Sequence, residues 1–397
     1  MGTIRKHLNR MLPRRWERIL DDPRRDERKW RFDHLLQVVV EALVSGCQSL
    51  REVERLTEAS GRRVPDTTLR DLLVEIDPEP LEEELAKGVK EANRCHELDN
   101  KELPFRLTII DGKCLSDTTY EVDKYSIRRT QKGCNKYVQH AIRAFHGSST
   151  VKLLMGQERI PQGTNEKGVC VGFLEKLVQL YGTTNLLEVF SFDAGFTSIA
   201  NAKAVVDLGY DYVFALKDPR VHTVTRTAME LLGTRTKPDK VELEHVNGRR
   251  IIRSLYRCQA APVNGWSHAQ EFWRIQKEST DIKSGKVTLE EHYYVTSLAR
   301  ARLSHSVVLK TVRTHWSIEN NANWVLDVAW KEDLRPWCNR ALELVSLMRM
   351  IAYNIVARFK LRRLRRVAAR SWTWEQTLYF IRTALFPLDD RRAFATL

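Results

Sequence analysis

Apolar residues first recur at helical spacing in Leu35, Val38, Val39, Ala42 and Leu43, which stand at i, i+3, i+4, i+7 and i+8, the stripe of an amphipathic helix. Ser49-Leu50-Arg51-Glu52 then offers the Ser-x-x-Glu spacing of a capping box ahead of a second helix, which Gly61 ends. Pro65-Asp66-Thr67-Thr68-Leu69 begins a third, with Asp66 or Thr67 as its N-cap. Residues 34–92 are therefore expected to be helical. Two short helices about a glycine-containing connection suggest a helix-turn-helix, with Thr67, Thr68 and Arg70 offered to a major groove and Arg62 and Arg63 touching phosphates. Plain packing competes with that reading, because the connection is longer than usual and any small helical bundle contains such pairs.

From about residue 103 the period changes. Leu107 to Ile110 reads as a strand, and Tyr137 to Phe145 and Val151 to Ile160 as two more, joined by the turn signal His146-Gly147-Ser148-Ser149-Thr150. A helix over 169–181, a strand over 187–192, a helix over 198–208 and a strand over 212–217 follow. This order predicts an α/β fold, a mixed sheet with flanking helices that matches an RNase H-like core. Strand-like segments at 241–245, 250–258, 272–278 and 293–298, with turns at Asn247-Gly248 and Lys283-Ser284-Gly285-Lys286, make the next region β-rich. A helix then begins near Ser304, and another runs through Leu342, Val345, Leu347, Met348, Ile351 and Ile355 into Arg362-Arg363-Leu364-Arg365-Arg366.

Charge narrows the partners. The 397 residues carry a net charge of +14, with a pI near 9.5, which points to a polyanion. Residues 1–33 and 338–397 together hold thirteen of those fourteen charges, so both ends look like arms for phosphate, the second through Arg362, Arg363, Arg365 and Arg366. Seven scattered cysteines without a Cys-x-x-Cys pair disfavour a disulfide framework or a zinc module and point to reduced thiols. The N-terminus lacks the apolar stretch of a signal peptide, and the best apolar run, Leu35 to Val44, is far short of a membrane span. A soluble cytoplasmic protein, not associated with membranes, is expected.

Candidate chemistry lies in three acids. Asp111 follows the apolar Leu107-Thr108-Ile109-Ile110, Asp193 follows Val189-Phe190-Ser191-Phe192, and Glu319 sits in the helical His315-Trp316-Ser317-Ile318-Glu319-Asn320-Asn321. Both aspartates fall at carboxyl ends of predicted strands, where open α/β sheets place their sites. Carboxylates so arranged suit Mg²⁺, which takes oxygen ligands from a few acids and a substrate phosphate. Each aspartate alone reads as an ordinary strand-end residue; the joint pattern, with glycine beside each, shifts the balance.

Ile110-Asp111-Gly112-Lys113, Phe192-Asp193-Ala194-Gly195-Phe196, Asp211-Tyr212-Val213-Phe214-Ala215-Leu216-Lys217, His315-Trp316-Ser317-Ile318-Glu319-Asn320, Trp324-Val325-Leu326-Asp327-Val328 and Glu332-Asp333 carry a resemblance. The chain resembles the DDE transposases of bacterial insertion sequences of the ISAs type, whose RNase H-like core carries a β insertion before its glutamate. The resemblance implies that Asp111, Asp193 and Glu319 are the catalytic, metal-binding triad for two Mg²⁺ ions, with Mn²⁺ able to substitute. It implies cleavage at transposon ends and joining of 3′-hydroxyls to target DNA. The partners would be double-stranded DNA, as terminal inverted repeats and target, and a second copy in the DNA complex. A silent DNA-binding descendant and another RNase H-like nuclease are the rival readings.

The organisation expected is a helical DNA-binding region over 1–100, the first part of the core over 101–217, the β insertion over 218–302, the catalytic helix over 303–337 and a basic helical region over 338–397. Where the wider group carries Tyr-x-x-Arg before the glutamate and a lysine seven positions after it, this chain has Val312, His315 and Leu326. His315 then reads either as a phosphate contact, as a cation, or as a packed ring. Lys113 reads either as a phosphate ligand or as a salt-bridge partner. Asp327, Glu332 and Asp333 compete with Glu319 for the third ligand position. Trp316, Trp324, Trp330 and Trp337 serve either the core or base stacking.

Overall fold

The structure is a computed structural model that describes residues 2–13, 15–24, 29–100, 103–131, 134–220, 222–334, 337–363 and 372–387. In chain order its helices and strands are α1 (Gly2–Met11), α2 (Phe32–Val44), α3 (Leu50–Ala59), α4 (Asp66–Glu75), α5 (Pro80–Arg94), β1 (Leu107–Thr118), β2 (Ile127–Gln131), β3 (Cys134–His146) and β4 (Leu153–Arg159). Next come α6 (Glu166–Tyr181), β5 (Val189–Phe192), α7 (Ile199–Asp207), β6 (Asp211–Leu216), α8 (Thr223–Gly233), β7 (Lys240–Val246), β8 (Arg249–Gln259), β9 (Glu271–Asp281) and β10 (Val287–Thr296). The chain ends with α9 (His305–Ile318), α10 (Trp324–Ala329), α11 (Leu342–Arg363) and α12 (Trp374–Leu385). This is an RNase H-like α/β fold, with a large mixed sheet and flanking helices. Among the described residues no helix is long and apolar enough to cross a membrane.

Two compact units divide the chain, and neither is a single stretch. The first gathers residues 1–99, 112–164 and 318–397; the second gathers 100–111 and 165–317. In the first, α2 and α11 are buried on nearly every side, and they pack on each other with α12 against α2 and α5 against α11. Helices buried on most sides belong in the middle of a bundle, and α11 takes Arg349 and Arg358 into it along with its apolar residues. The short antiparallel strands β2 and β4 both pair with β3, which lies beside β1, and Asn354 of α11 bonds both Leu154 backbone groups of β4. Ser49 caps α3 as expected, accepting from the Glu52 N–H at 3.2 Å, but the Glu52 carboxylate reaches back to the Gln48 N–H at 2.8 Å rather than to Ser49 itself. Neither Asp66 nor Thr67 is the N-cap of α4. Pro65 is, and the helix start is held instead by Glu54, which accepts from the Asp66 N–H at 3.2 Å.

In the second unit β1, β5 and β6 are parallel, in that order, with α7 as the crossover between β5 and β6. Their apolar runs are buried throughout, as expected of strands covered on both faces. The β-rich region continues this sheet. β10 pairs antiparallel with β6, and β9, β8 and β7 follow outward in turn. Asn247 and Gly248, both at positive φ, make the two-residue turn between β7 and β8.

Candidate active site

The β1–β5 ladder sets two carboxylates side by side. Its register runs from Leu107↔Val189 to Ile110↔Phe192, so the next residue on each strand is an aspartate, Asp111 on one and Asp193 on the other. Neighbouring strands lie about 4.8 Å apart. Asp193 directly follows β5 and leads into a 3₁₀ turn over Ala194–Phe196, whose Phe196 N–H returns to the Asp193 carbonyl at 3.1 Å. Asp111 does not end its strand. β1 runs on to Thr118, and Asp111 marks the point where the parallel pairing with β5 stops.

Asp193 has Ser191 as its neighbour on the same face of β5, because side chains alternate along a strand. Against that face the His315 ring of α9 approaches the Ser191 hydroxyl through Nδ1 at 2.9 Å. Burial pushes the His315 pKa down to about 4, and the nearby Asp193 charge only partly opposes it. His315 is therefore a packed, neutral imidazole near pH 7, not a cation. Tyr294 is also close to Asp193; burial raises its hydroxyl pKa, and it takes a 3.4 Å hydrogen bond from Trp316. Glu166 is an acid that the sequence pattern does not single out, and Gly195 locates it. A Cβ there would stand 3.2 Å from the Glu166 carboxylate and 3.9 Å from that of Asp193, so Glu166, in the first turn of α6, is a further acid beside the site.

Glu319 belongs to the first unit, where it opens a π-helical turn over Glu319–Asn323 between α9 and α10, with its side chain exposed. Such turns recur at functional sites. Two of its three rivals are held by buried cations. Asp327 pairs with the buried Lys113; burial raises the Asp327 carboxyl and the Lys113 ammonium works against that rise. Glu332 has no exposed surface and receives both Arg143 Nη atoms at 2.8 Å. Asp333 is half-buried. Among the described residues no three His, Cys, Asp or Glu side chains gather to hold an ion. A hard divalent ion nonetheless suits the Asp111 and Asp193 oxygens, since Mg²⁺ usually takes one or two carboxylates and completes its shell with phosphate and water.

The expected DNA contacts are mostly on the surface. Arg62, Thr67 and Arg70 are exposed and Thr68 is half-buried, while Leu69, Leu72 and Leu73 turn α4 inward. Arg63 donates to Glu54 at 2.7 Å and Arg70 to Asp71 at 3.0 Å. Arg362 is ion-paired with Glu97; the Arg363 side chain, Arg365 and Arg366 lie outside the described residues. The tryptophans divide. Trp330 is buried and donates to the Leu43 carbonyl at 2.7 Å, whereas Trp324 is more than half exposed.

The profile of the family described as Transposase DDE domain matches residues 103–355, well over half of the chain. The chain belongs to that family. Two Escherichia coli (strain K12) proteins, named "H repeat-associated putative transposase YhhI" and "Putative protein YbfL", are each 25% identical to it over 360 residues, covering 83% of this chain and 87% of theirs. The matched transposase domain holds Asp111, Asp193 and Glu319, whereas α1 to α5 and α12 fall outside it. DNA is the partner that membership implies, and divalent metal ions are the cofactors the family generally uses.

Proposed function

We propose that this chain cuts phosphodiesters at the ends of its own transposable element and joins the freed 3′-hydroxyls to target DNA. The observation that carries the reading is the placement of Asp111 and Asp193 side by side, each just past the last pair of two parallel strands, in a chain of the DDE transposase family. Asp111 and Asp193 would hold divalent metal, with Glu319 as the third ligand on the strength of the sequence block around it. Mg²⁺ is favoured by the all-oxygen donor set, with Mn²⁺ as substitute. When bound, such ions lower the pKa of the attacking hydroxyl and stabilise the leaving 3′ oxygen. The chain's own side chains then have limited tasks: the carboxylates serve as ligands, and His315, neutral and packed behind Asp193, orients that strand without adding a cation. Water is the nucleophile in the first cut and the 3′-hydroxyl in the joining step, each displacing an oxygen from phosphorus with no covalent enzyme intermediate.

A side chain at 195 would press on the Glu166 carboxylate and stand beside that of Asp193, so glycine there leaves both acids undisturbed. The exposed face of α4 and the Arg62–Arg63 connection would recognise the inverted repeats. Bringing two ends together calls for at least two copies in the DNA complex.

The test is incubation of the chain with the DNA flanking its gene and Mg²⁺, followed by mapping of cuts. Cuts at the element's ends, lost in Asp111→Asn, Asp193→Asn and Glu319→Gln with DNA binding retained, are expected. Binding without cutting in the unaltered chain would identify a silent DNA-binding descendant, and cutting of branched DNA regardless of ends would identify a structure-specific nuclease.

A further inference from the structure

The outer part of the second unit's sheet has one face covered and one bare. Register aligns Leu243, Ile252, Glu278 and Leu289 across β7, β8, β9 and β10, and aligns His245, Arg250, Thr280 and Val287 in the adjacent row of the same face. The opposite face carries Glu244 and Tyr294, which bond to Arg313 and Trp316 of α9. Among the described residues, cover on the first face comes near the sheet's inner end. There Arg274, stacked 3.9 Å from the Tyr256 ring, donates to the Arg235 carbonyl just beyond α8. Farther out, Val241 is 49% exposed, Leu243 57%, Val287 56% and Leu289 68%. Four aliphatic side chains held in water on one rigid face are the mark of an interaction surface. β7 is also the outermost strand in this direction, so the patch reaches a sheet edge.

We infer that this face docks a second copy of this chain. Its charges point to that occupant. Arg250 and Glu278 are both exposed on it, and among the described residues neither forms an ion pair, so the face carries both halves of an ion pair. In a two-fold contact the same patch meets itself, and Arg250 of each copy would face Glu278 of the other. A nucleic acid would find aliphatic side chains there, not a run of cations. Four strands at about 4.8 Å and six residues at about 3.4 Å make a face roughly 20 Å on a side. That is a modest footprint rather than an obligate one, so association in the micromolar range is expected. The inference stands on this face alone and does not depend on the carboxylates or on cleavage.

Sedimentation velocity of the full chain without DNA, over concentrations up to about 100 μM, tests it. The unaltered chain should pass from monomer to dimer. Leu243→Glu with Leu289→Glu, at exposed positions that leave the core untouched, should weaken dimerisation at least about tenfold, since each brings charge into an apolar contact. Arg250→Glu alone and Glu278→Arg alone should each weaken it, and the two together should restore it. A chain that stays monomeric throughout, a dimer indifferent to the Leu243/Leu289 change, or a charge swap that fails to restore association would each overturn the inference.

Discussion

The Ser191 hydroxyl and Nδ1 of His315 lie 2.9 Å apart on the face of β5 that also carries Asp193. Burial lowers the His315 pKa from 6.5 to about 4. In the unfolded chain that ring takes up a proton near pH 6.5, whereas in the folded chain it does so only near 4. Between those values the unfolded state binds more protons, so stability is complete above about 6.5 and falls as pH drops toward 4. His315→Gln removes the titration. Urea unfolding at pH 7 and pH 5 should show the unaltered chain losing more stability than the variant, by about 1–2 kcal/mol. Equal losses would mean that His315 is charged or exposed in the folded chain.

Local signals in the amino-acid sequence make much of the fold legible. The stripe from Leu35 to Leu43, the turns at Asn247-Gly248 and His146–Thr150, and the apolar runs ending at Asp111 and Asp193 each stand for an element that is present. The failures have physical causes. α8 hides in Thr223-Val224-Thr225-Arg226-Thr227, a β-branched run with strand preference, and it becomes a helix because Val224, Ala228 and Leu232 bury one face. Asp111 looks like a strand end because the apolar run stops there, but β1 only exchanges surroundings at that point. Glu166 gives no sign of its place beside Asp193, since that proximity arises between α6 and the turn after β5. Nor can spacing say that Asp327 and Glu332, so close to Glu319 in sequence, are committed to Lys113 and Arg143 more than 180 residues away.

That commitment separates the rival acids. Asp327→Asn leaves the buried Lys113 ammonium without its partner and should lower stability by roughly 1–3 kcal/mol, less than the cost for a wholly buried pair because Asp327 remains partly hydrated. Its DNA cutting should persist below the new melting point. Glu319→Gln changes an exposed side chain, so it should leave stability within about 0.5 kcal/mol and abolish cutting. Denaturant melts paired with cleavage assays decide the matter. The reverse pattern, with Asp327→Asn stable and inactive and Glu319→Gln active, would move the third ligand to Asp327.

Arg143 and Glu332 form a wholly buried pair within the first unit, joined by Ser346, which accepts from Arg143 at 2.8 Å and donates to Gln157 at 2.9 Å. Burial tends to raise the Glu332 carboxyl, but the Arg143 guanidinium overcomes this and holds it below the usual 4.5. The pair's contribution is present above that value and is lost as pH falls below it. Glu332→Ala should cost about 3–5 kcal/mol, because it leaves a buried guanidinium uncompensated. Arg143→Met combined with Glu332→Leu should recover most of that loss and make the chain less sensitive to acid. A double variant as unstable as the single one would show that Arg349, the second buried guanidinium facing Glu332, depends on that carboxylate as much as Arg143 does.

Thr67 and Arg70 stand one turn apart on the outer side of α4, and the ion pair of Arg70 with Asp71 is exposed enough to give way to a base at little cost. Arg62 and Arg63 precede them, Arg63 leaning on Glu54, which also fixes the helix start. If α4 reads bases, Thr67→Ala, Thr68→Ala and Arg70→Ala together should reduce preference for the element's own ends, by about 1–3 kcal/mol for each bidentate hydrogen-bonded pairing with a base that is removed, while affinity for random DNA changes little. Arg62→Ala with Arg63→Ala should weaken binding to every sequence and flatten the dependence of log K on log salt by about one unit per phosphate contact. Competition between end and random DNA at two salt concentrations separates the two effects. An equal loss on both DNAs from the Thr67/Thr68/Arg70 change would leave α4 as a packing helix, and recognition of the ends would have to come from another part of the chain.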